Sequence, residues 1–249
     1  MNILPYEREA GRVSGHESGQ FSQRRRVLAA LGALALGVAG VSAGVVSLDA
    51  QAQTAVAAVG STTAAGAPRL LVVGDSLSAE YGIARGSGWV PLLQERLRKL
   101  GYPYQVVNAS ISGDTTSGGV SRLGSLLTQH KPAVVVVELG ANDALRGLAL
   151  SMTERNLDKL VADSKQAGAK VLVAGIQIPP NYGRDYTERF NAIFGKVAKT
   201  HQAAVVPFLL EGIAADPTQF QADGIHPVAA AQPKLLDNVW PKLEPLLER

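Results

Sequence analysis

Cysteine is absent from all 249 residues. That excludes disulfides, a thiolate nucleophile, iron–sulfur clusters and zinc fingers in one step. Aromatic residues are scarce, at 5%, and charged residues make up only 18%. Beside 46% hydrophobic residues, this is too little charge for a disordered chain. No His-Glu-x-x-His motif occurs, which argues against a metallohydrolase. No basic run occurs beyond residue 52 either. Residues 1–52 hold five arginines and four acids, leaving nineteen bases against seventeen acids in the remainder. That near balance argues against a nucleic-acid-binding stripe.

What is present falls into three stretches. Residues 1–52 read as an export signal: a polar segment ends in Arg24-Arg25-Arg26, and Val27 to Leu48 then carries no charge. Ser22-Gln23-Arg24-Arg25-Arg26-Val27-Leu28 resembles a twin-arginine motif. Ala50-Gln51-Ala52 and Val41-Ser42-Ala43 offer small-x-small cleavage sites. The alternative is a retained membrane anchor, because the uncharged run is long enough to span a bilayer. Residues 53–68 are rich in Ala, Thr and Gly without periodicity and read as a flexible linker. Residues 69–249 suit one compact domain.

Within that domain short apolar runs alternate with amphipathic stretches. Strands are expected at Leu70–Val73, Gln105–Asn108, Ala133–Leu139, Lys170–Ile176 and Ala203–Val206. Helices are expected at Trp89–Leu100, Thr116–Gln129, Thr153–Ala167, Arg184–Thr200 and, interrupted by prolines, Val228–Leu247. Strands alternating with helices imply βαβ units and a parallel sheet. Runs that are apolar without alternation suit strands covered on both faces. A three-layer, doubly wound α/β fold of flavodoxin-like shape follows, since an eight-stranded barrel needs more chain.

Each of the first three strands is followed by a polar, glycine-containing segment: Gly74-Asp75-Ser76-Leu77-Ser78, Asn108 to Asp114, and Gly140-Ala141-Asn142-Asp143. Open parallel sheets bind ligands at the carboxyl ends of their strands, so these segments meet at one edge. Asp223-Gly224-Ile225-His226-Pro227 adds an acid and a histidine three residues apart. A serine, a histidine, an acid and amide donors are what acyl transfer requires. Taken singly, each piece has a plainer reading: Ser76 as a turn residue, Gly113 as a positive-φ position, Asn142 as an Asx-turn residue. His130 and His201 fall at helix ends, where a capping role suffices.

Together the four segments resemble the GDSL or SGNH hydrolase family, from about Leu70 to the C-terminus. Asn108 to Thr115 and Pro180-Asn181-Tyr182-Gly183 are similar to its subgroup of periplasmic thioesterases, arylesterases and lysophospholipases. The resemblance implies that Ser76 is the nucleophile, His226 the base and Asp223 its orienting acid. It implies an oxyanion hole of the Ser76 and Gly113 N–H groups and the Asn142 side chain. It also implies a five-stranded parallel sheet in the order 2-1-3-4-5, and neither metal nor cofactor.

Leu145, Leu148, Ile178 and Pro179 lie in or near the loops after the third and fourth strands. They either line an acyl groove or pack the loops. An apolar groove suits acyl esters and thioesters better than sugars. We expect a monomer that acts on a small acyl ester or thioester, with no nucleic-acid partner. It meets a membrane only transiently, through the export signal or a lipid substrate, and works in the periplasm or outside the cell. Two other readings stay open: an exported carbohydrate deacetylase of the same fold, and an exported binding protein without catalysis.

Overall fold

The computed structural model describes residues 66–178 and 180–249. The export-signal reading, most of the linker and Pro179 lie outside the described residues. The chain runs β1 (Arg69–Gly74), α1 (Trp89–Lys99), β2 (Gln105–Asn108), α2 (Thr116–His130), β3 (Val134–Glu138) and α3 (Ala141–Leu145). It continues through α4 (Leu150–Gln166), β4 (Lys170–Ala174), α5 (Arg184–His201), β5 (Ala204–Val206) and α6 (Gln232–Leu243). Among the described residues, no helix is long and apolar enough to cross a membrane.

The five strands form one parallel sheet in the order β2-β1-β3-β4-β5, as the resemblance implies. β1 is central: Leu71 pairs with Val107 of β2 on one side and with Val135 of β3 on the other. Every residue of β3 is buried, which is why its run of valines shows no alternation. α1 packs with α6, while α2, α4 and α5 pack together as a separate group, so helices flank the sheet. After β1 the chain adds β2 to one side and β3 to the other. Strand order therefore reverses at β1, the place where such sheets form a crevice at their carboxyl edge.

The structure corrects several expected boundaries. The segment after Asn142, read as loop, holds the short helix α3, too brief to show helical periodicity. α4 starts at Leu150 rather than Thr153. Thr153, the expected start, lies inside the helix, where its hydroxyl donates to Asp143 Oδ1 at 3.2 Å. The expected C-terminal helix is broken into α6 and flanking 3-10 turns at Ala229–Ala231 and Glu244–Leu246. Pro233 stands in the first turn of α6 and Pro245 in that of the following 3-10 turn, where a missing N–H costs nothing. Pro241 is tolerated inside α6 near its end. His201 does end α5, but its ring also meets Asp158 Oδ1 of α4 at 2.7 Å.

Candidate active site

β1 ends at Gly74 and the chain turns at once. The N–H groups of Ser78 and Ala79 donate to the Asp75 carbonyl at 3.3 and 3.0 Å. Asp75 is buried, and its Oδ1 accepts the Leu77 N–H at 3.0 Å, spanning the intervening Ser76. Ser76 is thereby held half-exposed at the head of the turn.

The histidine arrives from far along the chain. Phe220 bridges Pro227 in antiparallel fashion, and Gln221 N–H donates to the His226 carbonyl at 2.8 Å. Asp223 lies at the tip of this hairpin. Its Oδ1 accepts the N–H groups of Ile225 and His226 at 2.9 and 3.0 Å, and its Oδ2 meets His226 Nδ1 at 2.8 Å. Those two backbone donors and the imidazole hold the Asp223 carboxyl down at about 2. It is therefore an anion throughout the neutral range, and it selects the tautomer with the proton on Nδ1. His226 Nε2 then faces Ser76 Oγ at 2.8 Å, across 150 residues of sequence. In this order the groups can pass a proton from the hydroxyl to the ring while the carboxylate steadies the imidazolium.

Two contacts that sequence reasoning missed hold the hairpin on the Ser76 turn. The Tyr81 ring lies 4.4 Å from that of His226, centroid to centroid. Gln221 Nε2 donates to the Tyr81 carbonyl at 2.9 Å. Nothing local in the sequence pairs Tyr81 with a residue 140 positions away.

The loops after β2 and β3 bring the remaining expected residues. Gly113 has φ +80°, a conformation that suits glycine, and its carbonyl accepts from Arg146 Nη2 at 2.7 Å. The N–H groups of Ser76 and Gly113 make no hydrogen bond to the described residues. Asn142 Nδ2 lies within reach of Asp75 Oδ2 at 3.1 Å and the Asp114 carbonyl at 2.9 Å.

The sequence gives little hint of what anchors these loops. Asp143, next to Asn142, is fully buried and accepts from the Thr116 N–H at 2.9 Å and from the hydroxyls of Thr116 and Thr153. It thus ties α3 to the start of α2 and to α4. Arg122 pairs with Asp114 Oδ2 at 2.8 Å and also donates to the carbonyls of Ala109 and Gly74, joining the ends of β1 and β2.

Of the residues expected to meet substrate, Leu145 is 37% exposed at the end of α3, Leu148 is half-buried, and Ile178 belongs to the hydrophobic core. Tyr81, Ile111 and Ile225 are about half-exposed, Tyr81 against the His226 ring and Ile225 next to His226 in the chain. They add apolar surface that the sequence reading did not identify.

Burial pushes the Asp75 carboxyl up to about 6. An unfolded aspartate releases its proton near 4, so between these values the folded chain holds a proton that the unfolded chain has lost. Stability from this group is thus full in acid and falls as pH rises through about 6. Asp75→Asn removes that titration. The melting temperature of the variant relative to wild type should climb by on the order of a few degrees between pH 4 and pH 7. A constant difference across that range would show that Asp75 titrates normally.

Comparison with known proteins gives the family. The model of the GDSL-like lipase/acylhydrolase family matches residues 72–232. The chain is 55% identical over 186 residues to esterase TesA of Pseudomonas aeruginosa, covering 75% of this chain and 92% of that protein. It is 45% identical over 184 residues to thioesterase 1/protease 1/lysophospholipase L1 of Escherichia coli K12, covering 74% and 87%. A solved crystal structure of TesA superposes with a TM-score of 0.71 at 56% identity, covering 72% of this chain and 99% of that one. The chain belongs to the GDSL-like lipase/acylhydrolase family and is a hydrolase of acyl esters.

Proposed function

We propose that the chain hydrolyses acyl esters and thioesters through a covalent acyl-enzyme on Ser76. The observation that carries this reading is the line Ser76 Oγ, His226 and Asp223, with 2.8 Å at each step. His226 takes the hydroxyl proton as Ser76 attacks the acyl carbon, while Asp223 orients and stabilises the imidazolium. The Ser76 and Gly113 N–H groups and the Asn142 amide receive the oxyanion. His226 returns the proton to the leaving alcohol or thiol, and water repeats the sequence on the acyl-enzyme. Treatment with a fluorophosphonate, followed by peptide mass spectrometry, tests this directly. Label on Ser76 alone is expected, and label elsewhere with Ser76 free refutes it.

The apolar surface around the triad supports acyl chains over sugars as the group recognised. Leu145 is the better probe, because it is exposed and its removal disturbs little packing. Each buried methylene is worth about 0.8 kcal/mol. Leu145→Ser should therefore lower kcat/KM on medium-chain p-nitrophenyl esters by roughly tenfold and on acetyl esters hardly at all. Equal losses at every chain length would assign Leu145 to loop packing. Ile178 is a poorer test, since its replacement opens the core. Acetylated sugars in the same panel separate a deacetylase, which would prefer them.

The domain division proposed for the chain is an export signal over 1–52, a linker over 53–68 and the hydrolase over 69–249. Action in the periplasm or outside the cell follows from it. Changing Arg24-Arg25 to Lys-Lys should stop export by a twin-arginine route. Normal appearance of that variant in the periplasm would refute the route.

A further inference from the structure

A buried polar cluster that the triad does not use lies beneath the nucleophile turn. Glu138, the last residue of β3, is fully buried. Its Oε2 accepts from the Ser78 hydroxyl at 2.7 Å and the Asp75 N–H at 3.3 Å. Its Oε1 is buried without a hydrogen-bond partner among the described residues. Gly74 makes room for this carboxyl: a Cβ there would stand 2.8 Å from Glu138 Oε2 and 2.8 Å from Ser78 Oγ. Asp75 is buried as completely, and its charge pushes the Glu138 carboxyl up.

Two adjacent buried carboxyls do not both ionise readily; one shared proton turns their repulsion into attraction. Which one holds it follows from their partners. Asp75 meets donors on both oxygens, the Leu77 N–H on Oδ1 and the Asn142 amide on Oδ2, as suits an anion. Glu138 has two donors on Oε2 and none on Oε1. A proton on Oε1 gives that atom a bond to make and removes a buried charge. Burial and the Asp75 charge push the Glu138 carboxyl well above the usual range, in the same direction.

We propose that Glu138 is a positioning residue acting as a neutral carboxylic acid, which donates to Asp75 and gathers Ser78 and the Asp75 N–H around the nucleophile turn. Through Asp75 it holds the Leu77 N–H beyond Ser76 and the Asn142 amide in one arrangement. Ser76 and the oxyanion donors are thereby aimed together from below, without Glu138 touching substrate. This rests on the Ser76 reading above.

The full chain, assayed with p-nitrophenyl acetate, tests it through two replacements. Glu138→Gln keeps the shape and supplies an amide N–H where the acid has its O–H. Glu138→Leu keeps the approximate volume and removes every polar contact. Misplacing reacting groups by about an ångström costs up to about a hundredfold, so Glu138→Leu should lose roughly 10- to 100-fold in kcat with KM unchanged. Glu138→Gln should restore kcat to within about threefold of wild type, because the neutral form is the working one. A glutamine variant as slow as the leucine variant, or a leucine variant at wild-type kcat, overturns the proposal. Should circular dichroism show Glu138→Leu unfolded, Ser78→Ala removes one contact without adding charge or bulk. It should lower kcat several-fold at constant KM, and wild-type kcat would again overturn the proposal. Ser76→Ala, run alongside, keeps the two readings apart: activity surviving there refutes the nucleophile, whatever the Glu138 variants do.

Discussion

Replacing Ser76 by alanine should abolish ester turnover, by at least about 10³-fold in kcat. In the proposed mechanism the hydroxyl oxygen is the atom that becomes acylated, and alanine has nothing to put in its place. His226 and Asp223 would remain paired through Nδ1 and Oδ2, but would have no proton to move. The fold should survive the change. Ser76 is half-exposed, and its side chain makes one hydrogen bond, to His226 Nε2, worth about 1 kcal/mol. Circular dichroism and thermal melting should therefore match the wild type, and fluorophosphonate labelling should vanish. Wild-type turnover by a folded Ser76→Ala protein would end the serine mechanism.

Asn142→Ala should cost roughly 10²- to 10³-fold in kcat, the usual loss for one oxyanion donor. The amide acts where charge develops, so KM for a short ester should change little. Here the substitution has a second effect. Asn142 Nδ2 also serves Asp75 Oδ2 and the Asp114 carbonyl, and both would lose that donor. Unsatisfied buried acceptors cost about 1–3 kcal/mol each, so the variant should melt at a lower temperature. Ser76 should still react with fluorophosphonate, but more slowly. A kcat within about fivefold of wild type would remove Asn142 from the donor set.

The sheet was legible because its strands are buried on both faces and so read as unbroken apolar runs, Val134 to Val137 above all. The candidate site residues stood out through four short glycine-containing segments, and the structure brings Ser76, His226 and Asp223 of two of them into one line. α3 escaped because five residues cover little more than one turn. The start of α4 was placed three residues late, at Thr153 rather than Leu150, and the bond from Thr153 to Asp143 is set only by packing. The contacts of Arg122, Tyr81 and Gln221 join residues distant in sequence, and no local pattern encodes them. Glu138 did leave a trace, an acid closing the most apolar strand, but its partners are settled only by packing. Which way Leu145, Leu148 and Ile178 point is likewise a property of the assembled loops.

The hairpin carrying Asp223 and His226 has a consequence for heat inactivation. Acid and base share four residues of chain, and Asp223 Oδ1 grips the backbone of that same turn. The nucleophile sits on a separate, deeply anchored turn. Local opening of the hairpin would carry base and acid away as one body and leave Ser76 in place. Among the described residues, the contacts at its tip that oppose this are the Gln221 bond to Tyr81, the ring contact of Tyr81 with His226, and the bond to Ser76 itself. Residues 222–225 at the tip are exposed already, so an opening confined to the tip uncovers little apolar surface and belongs to the low-energy end of the protein's fluctuations. Activity on warming then reports the closure of one surface loop, while the sheet beneath it is still folded.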